Sequence, residues 1–317
     1  MNPTRRELLA LGAAPALSGQ SPRVREASGV FRTGQHLLIA DDSTIGEYFR
    51  LTLPRRPARF MLLNDLRPVR IPFKNAGLAI DLESIGVLAD GRVVALSERL
   101  RSLIGDEGII AEYDPLLSEV GKRGLEGLAI RPLPNRASRI AVLWEGGYPD
   151  QPSLPGQLRR EASPQSLLPR VLVHDLPANA RTGRISLSDA QLTIELQVPR
   201  PEGVGRGAQR FRAPELVWTR LGSAWGFIVL LSSQNALPTP TYEHHILQRF
   251  NLEGQRIGAP IDLGALAPER HARQNWEGLC WFEPGRSLLA VHEHSHQAEP
   301  AALIVDLPAD WRFDPAP

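Results

Sequence analysis

A hairpin that recurs along the chain restricts the fold more than any other feature. Four segments can be laid over one another. The first runs from Glu83-Ser-Ile-Gly-Val87 through Val93-Val-Ala-Leu-Ser97 to Glu98. The second runs from Glu126-Gly-Leu-Ala-Ile130 to Ile140-Ala-Val-Leu-Trp-Glu145. The third runs from Glu215-Leu-Val-Trp218 to Phe227-Ile-Val-Leu-Leu-Ser-Ser-Gln234, and the fourth from Glu277-Gly-Leu-Cys-Trp-Phe282 to Leu288-Leu-Ala-Val-His-Glu293. Each opens on Glu and closes on Glu or Gln after 15, 19, 19 and 16 residues. A weaker fifth copy, Ser28 to Asp42, precedes them. In the first copy Asp90-Gly91 separates two apolar runs, a strong hairpin signal because the mirror-image turn needs positive φ.

A third apolar run follows each hairpin: Tyr48–Leu53, Ile109–Tyr113, Arg170–His174, His245–Phe250 and Ala302–Asp306. Ile185–Leu187 and Leu192–Val198 read as outer-edge strands. Helical patterns are short, at Gly264–His271 and Arg99–Gly105. Repeating antiparallel units of three to four strands predict an all-β chain, a β-propeller of about five blades whose inner hairpins carry Glu at both ends. The stretches 54–82 and 177–214 leave room for a sixth blade. A β-sandwich is the competitor, but it does not account for Glu at the start of each unit.

With 317 residues, the chain is long enough for such a ring, read as one propeller domain over 28–307. Its net charge of +1 supplies no field for nucleic acid or an anionic membrane, and no nucleic-acid partner is expected. A monomer is the default. The one cysteine, Cys280, excludes an intrachain disulfide and any cysteine-cluster zinc site. At the N-terminus, Arg5-Arg6 precedes a short apolar run from Ala10 to Leu17, the pattern of a Tat-type export signal over residues 1–20. That predicts a periplasmic or secreted protein. The alternative is a short helix with two exposed arginines. No other apolar run reaches membrane length, so stable membrane insertion is not expected.

Asp81-Leu-Glu-Ser-Ile85, Leu88-Ala-Asp-Gly-Arg92, Leu96-Ser-Glu98, Ile109-Ile-Ala-Glu-Tyr-Asp114 and Lys122-Arg-Gly-Leu-Glu-Gly-Leu-Ala129 occur in that order. Together with Asn275-Trp-Glu-Gly-Leu279 they resemble the phytase-like family, known for the "esterase-like activity of phytase". The resemblance spans roughly residues 28–307 by motif order and is most specific over 81–145. It implies a propeller, export in bacteria, and a phosphoester- or ester-cleaving activity tied to clustered acidic residues. The sequence departs from the family pattern at Ser84, Gln234 and His292–His296.

Hairpin geometry points to the same chemistry from the residues themselves. A hairpin returns to its starting end, so Glu83 and Glu98, Glu126 and Glu145, and Glu277 and Glu293 should gather at one channel mouth. Such charges must be protonated, bind a cation or pair with bases. Glu83, Glu126, Glu215 and Glu277 are the expected ligands of a divalent cation, Ca²⁺ first, because hard cations take oxygen donors. The six paired glutamates are the candidate acids and bases. Arg99, Arg123, Arg273 and Asn275 are the candidate contacts for a phosphorylated or ester small molecule. Arg212, among the other bases near the motif, could instead make the ring a structural ion-pair network.

Weaker candidates are Ser97 and Ser233 as nucleophiles, and the alternating His292, His294 and His296, for which solvation is the main expectation and a transition metal the alternative. Trp144, Trp276 and Trp281 are expected to pack in the core, and Cys280 to be buried. The Pro/Gly-rich segment 146–169, with Arg159 and Arg160, reads as a rim loop or a disordered insertion. Three functions remain open: a metal-assisted hydrolase, a non-catalytic ligand- or protein-binding propeller, and a calcium-stabilised structural propeller.

Overall fold

A computed structural model describes residues 22–113, 124–146, 168–180, 183–185, 190–199, 211–235, 241–295 and 298–314. The strands assort into five mainly antiparallel sheets, the blades of a propeller. Blade 1 holds β1 (Ala27–Thr33), β2 (His36–Asp41), β3 (Glu47–Thr52) and β5 (Val69–Pro72). Blade 2 holds β6 (Leu82–Val87), β7 (Val93–Ser97), β8 (Ser102–Gly105) and β9 (Gly108–Tyr113), with β13 (Gly183–Ile185) added in parallel at its outer edge. Blade 3 holds β10 (Leu125–Pro132), β11 (Ser138–Trp144), β12 (Arg170–Leu176) and β14 (Leu192–Glu195). Blade 4 holds β15 (Arg212–Leu221), β16 (Ala224–Asn235), β17 (Thr241–Asn251) and β18 (Arg256–Asp262).

Blade 5 combines both halves of the chain. Its three inner strands are β19 (Trp276–Glu283), β20 (Ser287–His292) and β21 (Ala301–Asp306), and its outer strand is the early β4 (Phe60–Leu62). The stretches with room for a sixth blade are spent on outer strands: 54–82 supplies β4 and β5, and 177–214 supplies β13 and β14. Arg99–Gly105 is not helical. It forms a turn and β8, and its alternating apolar residues pack in the second blade. A four-residue helix does form within the other predicted stretch, at Glu269–Ala272.

The inner strands β1, β6, β10, β15 and β19 each contact the next, and β19 meets β1, so the ring is closed. Trp144 and Trp276 are buried between blades as expected, and burial pushes the Cys280 thiol up to about 12. Around the axis the strands approach so closely that three of them, β1, β10 and β19, carry glycine where they meet a neighbour. A Cβ on Gly29 would lie 2.5 Å from the Ser84 Cα and 2.8 Å from the Glu83 carbonyl oxygen. One on Gly278 would lie 3.1 Å from the Ser28 carbonyl oxygen. This close approach explains the Glu-Gly pairs of the repeat.

Gly29→Ala should therefore lower stability by about 1–3 kcal/mol, since both obstacles are backbone atoms that cannot swing away. Gly77→Ala, with nothing within 4 Å of its added methyl, should stay within about 0.5 kcal/mol of the parent. Urea midpoints of the two variants make the comparison.

Candidate functional site

The mouth is built by one device repeated around the ring. The inner hairpin of every blade carries a register shift near its open end. In four blades one residue of the inner strand is left without a partner there: Ser28, Glu83, Glu126 and Glu277. A bulge of this kind re-aims a side chain that regular alternation would place on a sheet face. Just beyond it, the same backbone bond recurs. Asp42 N–H donates to Glu26 O at 3.0 Å, Glu98 to Asp81 O at 3.0 Å, Glu145 to Gly124 O at 3.3 Å and Glu293 to Asn275 O at 3.3 Å. That bond fixes the second acid of each pair beside the first.

Glu83 and Glu126 are over nine-tenths buried. Burial raises both well above the usual carboxylate range. For Glu83 the charges of Glu277, Asp42, Glu98 and Asp81 add to this, and for Glu126 those of Glu145, Glu83 and Glu98. Acids from blades 1, 2, 3 and 5 thus act on one another across the axis. Asp42 is pushed up to about 7 by desolvation and by its hydrogen bond and charge contact with Asp81. Glu293 is pushed up to about 8 by burial and the Glu277 charge. Ligand oxygens of Asp42, Asp81 and Glu83 lie within 4.8 Å of one another and could hold a metal ion.

Blade 4 faces this acid with a base. Arg212, only 6% exposed, donates to Glu277 Oε1 at 2.7 Å and to Asn275 Oδ1, and its Nη1 lies 3.5 Å from Glu145 Oε2. The Asn275 amide donates to Glu277 Oε1 at 2.5 Å and to Glu293 Oε1 at 2.8 Å. Asn275 is therefore occupied in orienting acids. Arg99 and Arg273 are exposed at the rim.

The equivalence of Glu215 with the other three opening glutamates does not hold. Blade 4 places Ala213 and Pro214 in the irregular stretch, and Glu215 pairs regularly with Leu230. Its carboxyl group lies deeper and fully buried. It accepts from the Leu128 and Leu216 amides at 2.8 and 3.0 Å and meets Ser84 Oγ at 2.5 Å. Glu215 thus ties blades 2, 3 and 4 together beneath the mouth, apart from the Asp42–Asp81–Glu83 group. The expected ligand set is split further, since Glu277 is held by Arg212 and Asn275.

The lesser candidates resolve similarly. Ser97 Oγ donates to Ile80 O at 2.6 Å, and Ser233 Oγ accepts from the His244 amide at 3.0 Å. His292 is buried rather than solvated. Its Nδ1 contacts the Glu293 carbonyl at 2.7 Å, so Nδ1 carries the proton, and Nε2 accepts from His271 Nδ1 at 2.9 Å. Burial accordingly lowers His292 to about 3. His294 is exposed. Arg123, Arg159, Arg160, His296, the Gln234 side chain, residues 147–167 and the segment 1–20 lie outside the described residues.

Asp42, Asp81 and Arg212 are the mouth residues that the repeat undervalued. Asp42 closes the weakest copy, Asp81 precedes a motif Glu by two positions, and Arg212 opens the strand of the third copy, whose Glu215 is turned inward. The class so defined is a five-bladed β-propeller with an acidic mouth.

No protein-family profile and no curated protein matches the chain. Among solved structures, it is similar to an endo-arabinase from Bacteroides thetaiotaomicron, at 10% identity over 91% of this chain and 95% of that one, with a TM-score of 0.47. It is also similar to a protein described as a candidate gluconolactonase, at 13% identity over 89% of each chain and a TM-score of 0.37. A virginiamycin B lyase from Staphylococcus aureus gives 11% identity over 89% of this chain and 96% of that one, with a TM-score of 0.36. The propeller follows from this chain's own sheet order, and no residue role is taken from these proteins. No helix among the described residues is long and apolar enough to cross a membrane.

The raised acids set a direction for stability. Unfolded Asp and Glu titrate near 3.9 and 4.3. Folded Asp42 and Glu293 keep their protons to about 7 and about 8. Between those limits the folded state binds more protons, so stability falls as pH rises. Asp90, lowered to about 2 by Arg92 and backbone amides against its own desolvation, acts oppositely but only in acid. Buried His174, His245 and His292, lowered to about 4, 3 and 3, make stability rise with pH up to the unfolded value of about 6.5, so the acids are read above it. In chelator, the melting temperature should be higher near pH 7 than near pH 8.5, and Glu293→Gln should flatten the slope. A melting temperature that rises across this window would contradict the raised acids.

Proposed function

We propose that this chain is an exported, phytase-like propeller that hydrolyses a phosphoester or ester at its acidic mouth with the help of a divalent cation, calcium first. The observation that carries the reading is the convergence of Asp42, Asp81 and Glu83 oxygens within 4.8 Å, with Glu83 held in a buried position among like charges. The donor set suits a hard cation, which takes carboxylate oxygens and waters at about 2.3–2.6 Å. Asp42, Asp81 and Glu83 would hold it. A bound cation would supply a water of lowered pKa and polarise the phosphoryl or carbonyl oxygen.

The remaining residues divide the other tasks. Glu293, pushed up to about 8 by burial and the Glu277 charge, is protonated near neutrality and can hand a proton to a departing oxygen, and Glu126, raised well above the usual carboxylate range by burial and neighbouring acids, is placed for the same role. Glu98 and Glu145 stand beside them as proton acceptors. Asn275 and Arg212 keep Glu277 and Glu293 in place. Arg99 and Arg273, with Arg123, would meet the substrate's anionic group at the rim. The Tat-type segment 1–20 and the loop at 146–169 complete the proposal as an export address and a cover for the mouth.

The 2.7 Å pair of Arg212 with Glu277 favours a second reading, a non-catalytic binding propeller whose ring is a structural ion-pair network. Calcium thermal shifts and a panel of chromogenic phosphate and carboxylic esters separate the two. On the hydrolase reading, calcium raises the melting temperature, and Asp81→Asn or Glu83→Gln abolishes that rise and turnover together. Both variants then melt near the parent in chelator. No calcium shift and no turnover, with Glu277→Gln strongly destabilised in chelator, would favour the network. Removing one partner of a fully buried pair costs about 3–5 kcal/mol.

A further inference from the structure

Two neighbouring inner strands, β10 and β15, carry arginine near the end away from the mouth. Arg131 lies near the far end of β10, and Trp218 and Arg220 near the far end of β15, with Trp225 just across the hairpin turn. The guanidinium carbons of Arg131 and Arg220 lie 4.1 and 4.2 Å from the Trp225 ring centroid. They are therefore separated by no more than about twice that distance. Arg131 also lies 5.4 Å from the Trp218 ring, whose Nε1 is fixed by a bond to Ala129 O at 3.2 Å. Arg220 is held by a bond from Nη1 to Ser223 O at 3.0 Å.

Two like charges share one indole, and the surrounding charges do not balance them. Arg139 adds a third positive charge. Asp175 is already forked onto Arg139 at 2.7 and 2.8 Å and accepts from Gln191 Nε2 at 3.2 Å. Arg131 Nε is buried without a hydrogen-bond partner among the described residues. Burial and the charges of Arg139 and Arg220 lower the Arg131 pKa, the direction expected for a guanidinium lacking its counter-ion. Guanidinium groups bind oxyanions through parallel N–H donors, and two of them match a dianion in charge.

We infer that Arg131 and Arg220, arrayed on Trp225 at the end of the propeller opposite the acidic mouth, form a binding site for the dianionic phosphate group of a small phosphorylated molecule. Arg131 supplies the forked donors, Arg220 the second charge, and the two tryptophans a fixed platform. The site uses no residue of the mouth, so it stands whether or not the mouth is hydrolytic.

Isothermal titration with inorganic phosphate at constant ionic strength, set by chloride, tests the inference. The parent protein should bind one phosphate saturably. Arg131→Gln and Arg220→Gln should each weaken binding by at least about tenfold, the loss expected when a charge-assisted hydrogen bond is removed. Arg131→Lys should recover only part of the affinity, because a single ammonium keeps the charge without the fork. Arg55→Gln, at an exposed bend between β3 and β4, should bind as the parent does. Arg220 sits half-exposed at a hairpin end, so its variant reports on the site even where Arg131→Gln fails to fold. Absence of saturable heat at tens of millimolar phosphate would overturn the site. So would binding that survives Arg220→Gln but disappears in Arg99→Gln or Arg273→Gln.

Discussion

Everything at the mouth depends on how tightly five inner strands converge on one axis. Their approach leaves no space for a side chain at Gly29 or Gly278. The adjoining register shift lets each strand make that approach and still turn its neighbouring residue toward the mouth. Where that neighbour is Glu, as at positions 83, 126 and 277, packing and charge become one problem: the ring closes only by bringing carboxylates together. Gly127 extends the argument downward. A Cβ there would lie 2.8 Å from Glu215 Oε1, so the buried carboxyl group beneath the mouth occupies the space that the missing side chain releases.

The chain answers this concentration of acid in three ways. Arg212 neutralises the side formed by Glu145 and Glu277. Backbone amides and Ser84 satisfy Glu215. The third side, with Asp42, Asp81 and Glu83, has no such base among the described residues, and Asp42 and Glu83 resist ionisation. On that asymmetry, the blade 1–blade 2 side is the one whose oxygens could hold a cation.

Much of this was legible in the sequence because the hairpin is local. Glu83, Glu126 and Glu277 announce themselves by a small residue following and an acid returning on the second strand, and Asp90-Gly91 marks its turn. Long-range facts were not legible. Nothing in Phe60–Leu62 indicates that it pairs with β21 some 240 residues later, because edge pairing depends on ring closure rather than on local pattern. Glu215 has the right residue type and the wrong register. The irregular Ala213-Pro214 stretch shifts it inward, and a bulge position cannot be read from composition. Arg99–Gly105 resembled a helix because Leu100, Leu103 and Ile104 fit a helical spacing, yet hydrogen bonding to β7 and β9 made the last part a strand. Asp42 belonged to the faintest repeat, where Ser28 stands in place of Glu.

The central claim is that ring closure holds mouth carboxylates in their protonated forms near neutrality. Carbon-detected NMR of the side-chain carboxyl groups, titrated with pH in the absence of divalent cations, measures this directly. The account predicts that Asp42 and Glu293 titrate near 7 and 8, and that Glu83 and Glu126 titrate well above the usual carboxylate range, each assigned by its Asn or Gln variant. Four carboxyl groups all titrating between about 4 and 5, the range of exposed Asp and Glu, would contradict it.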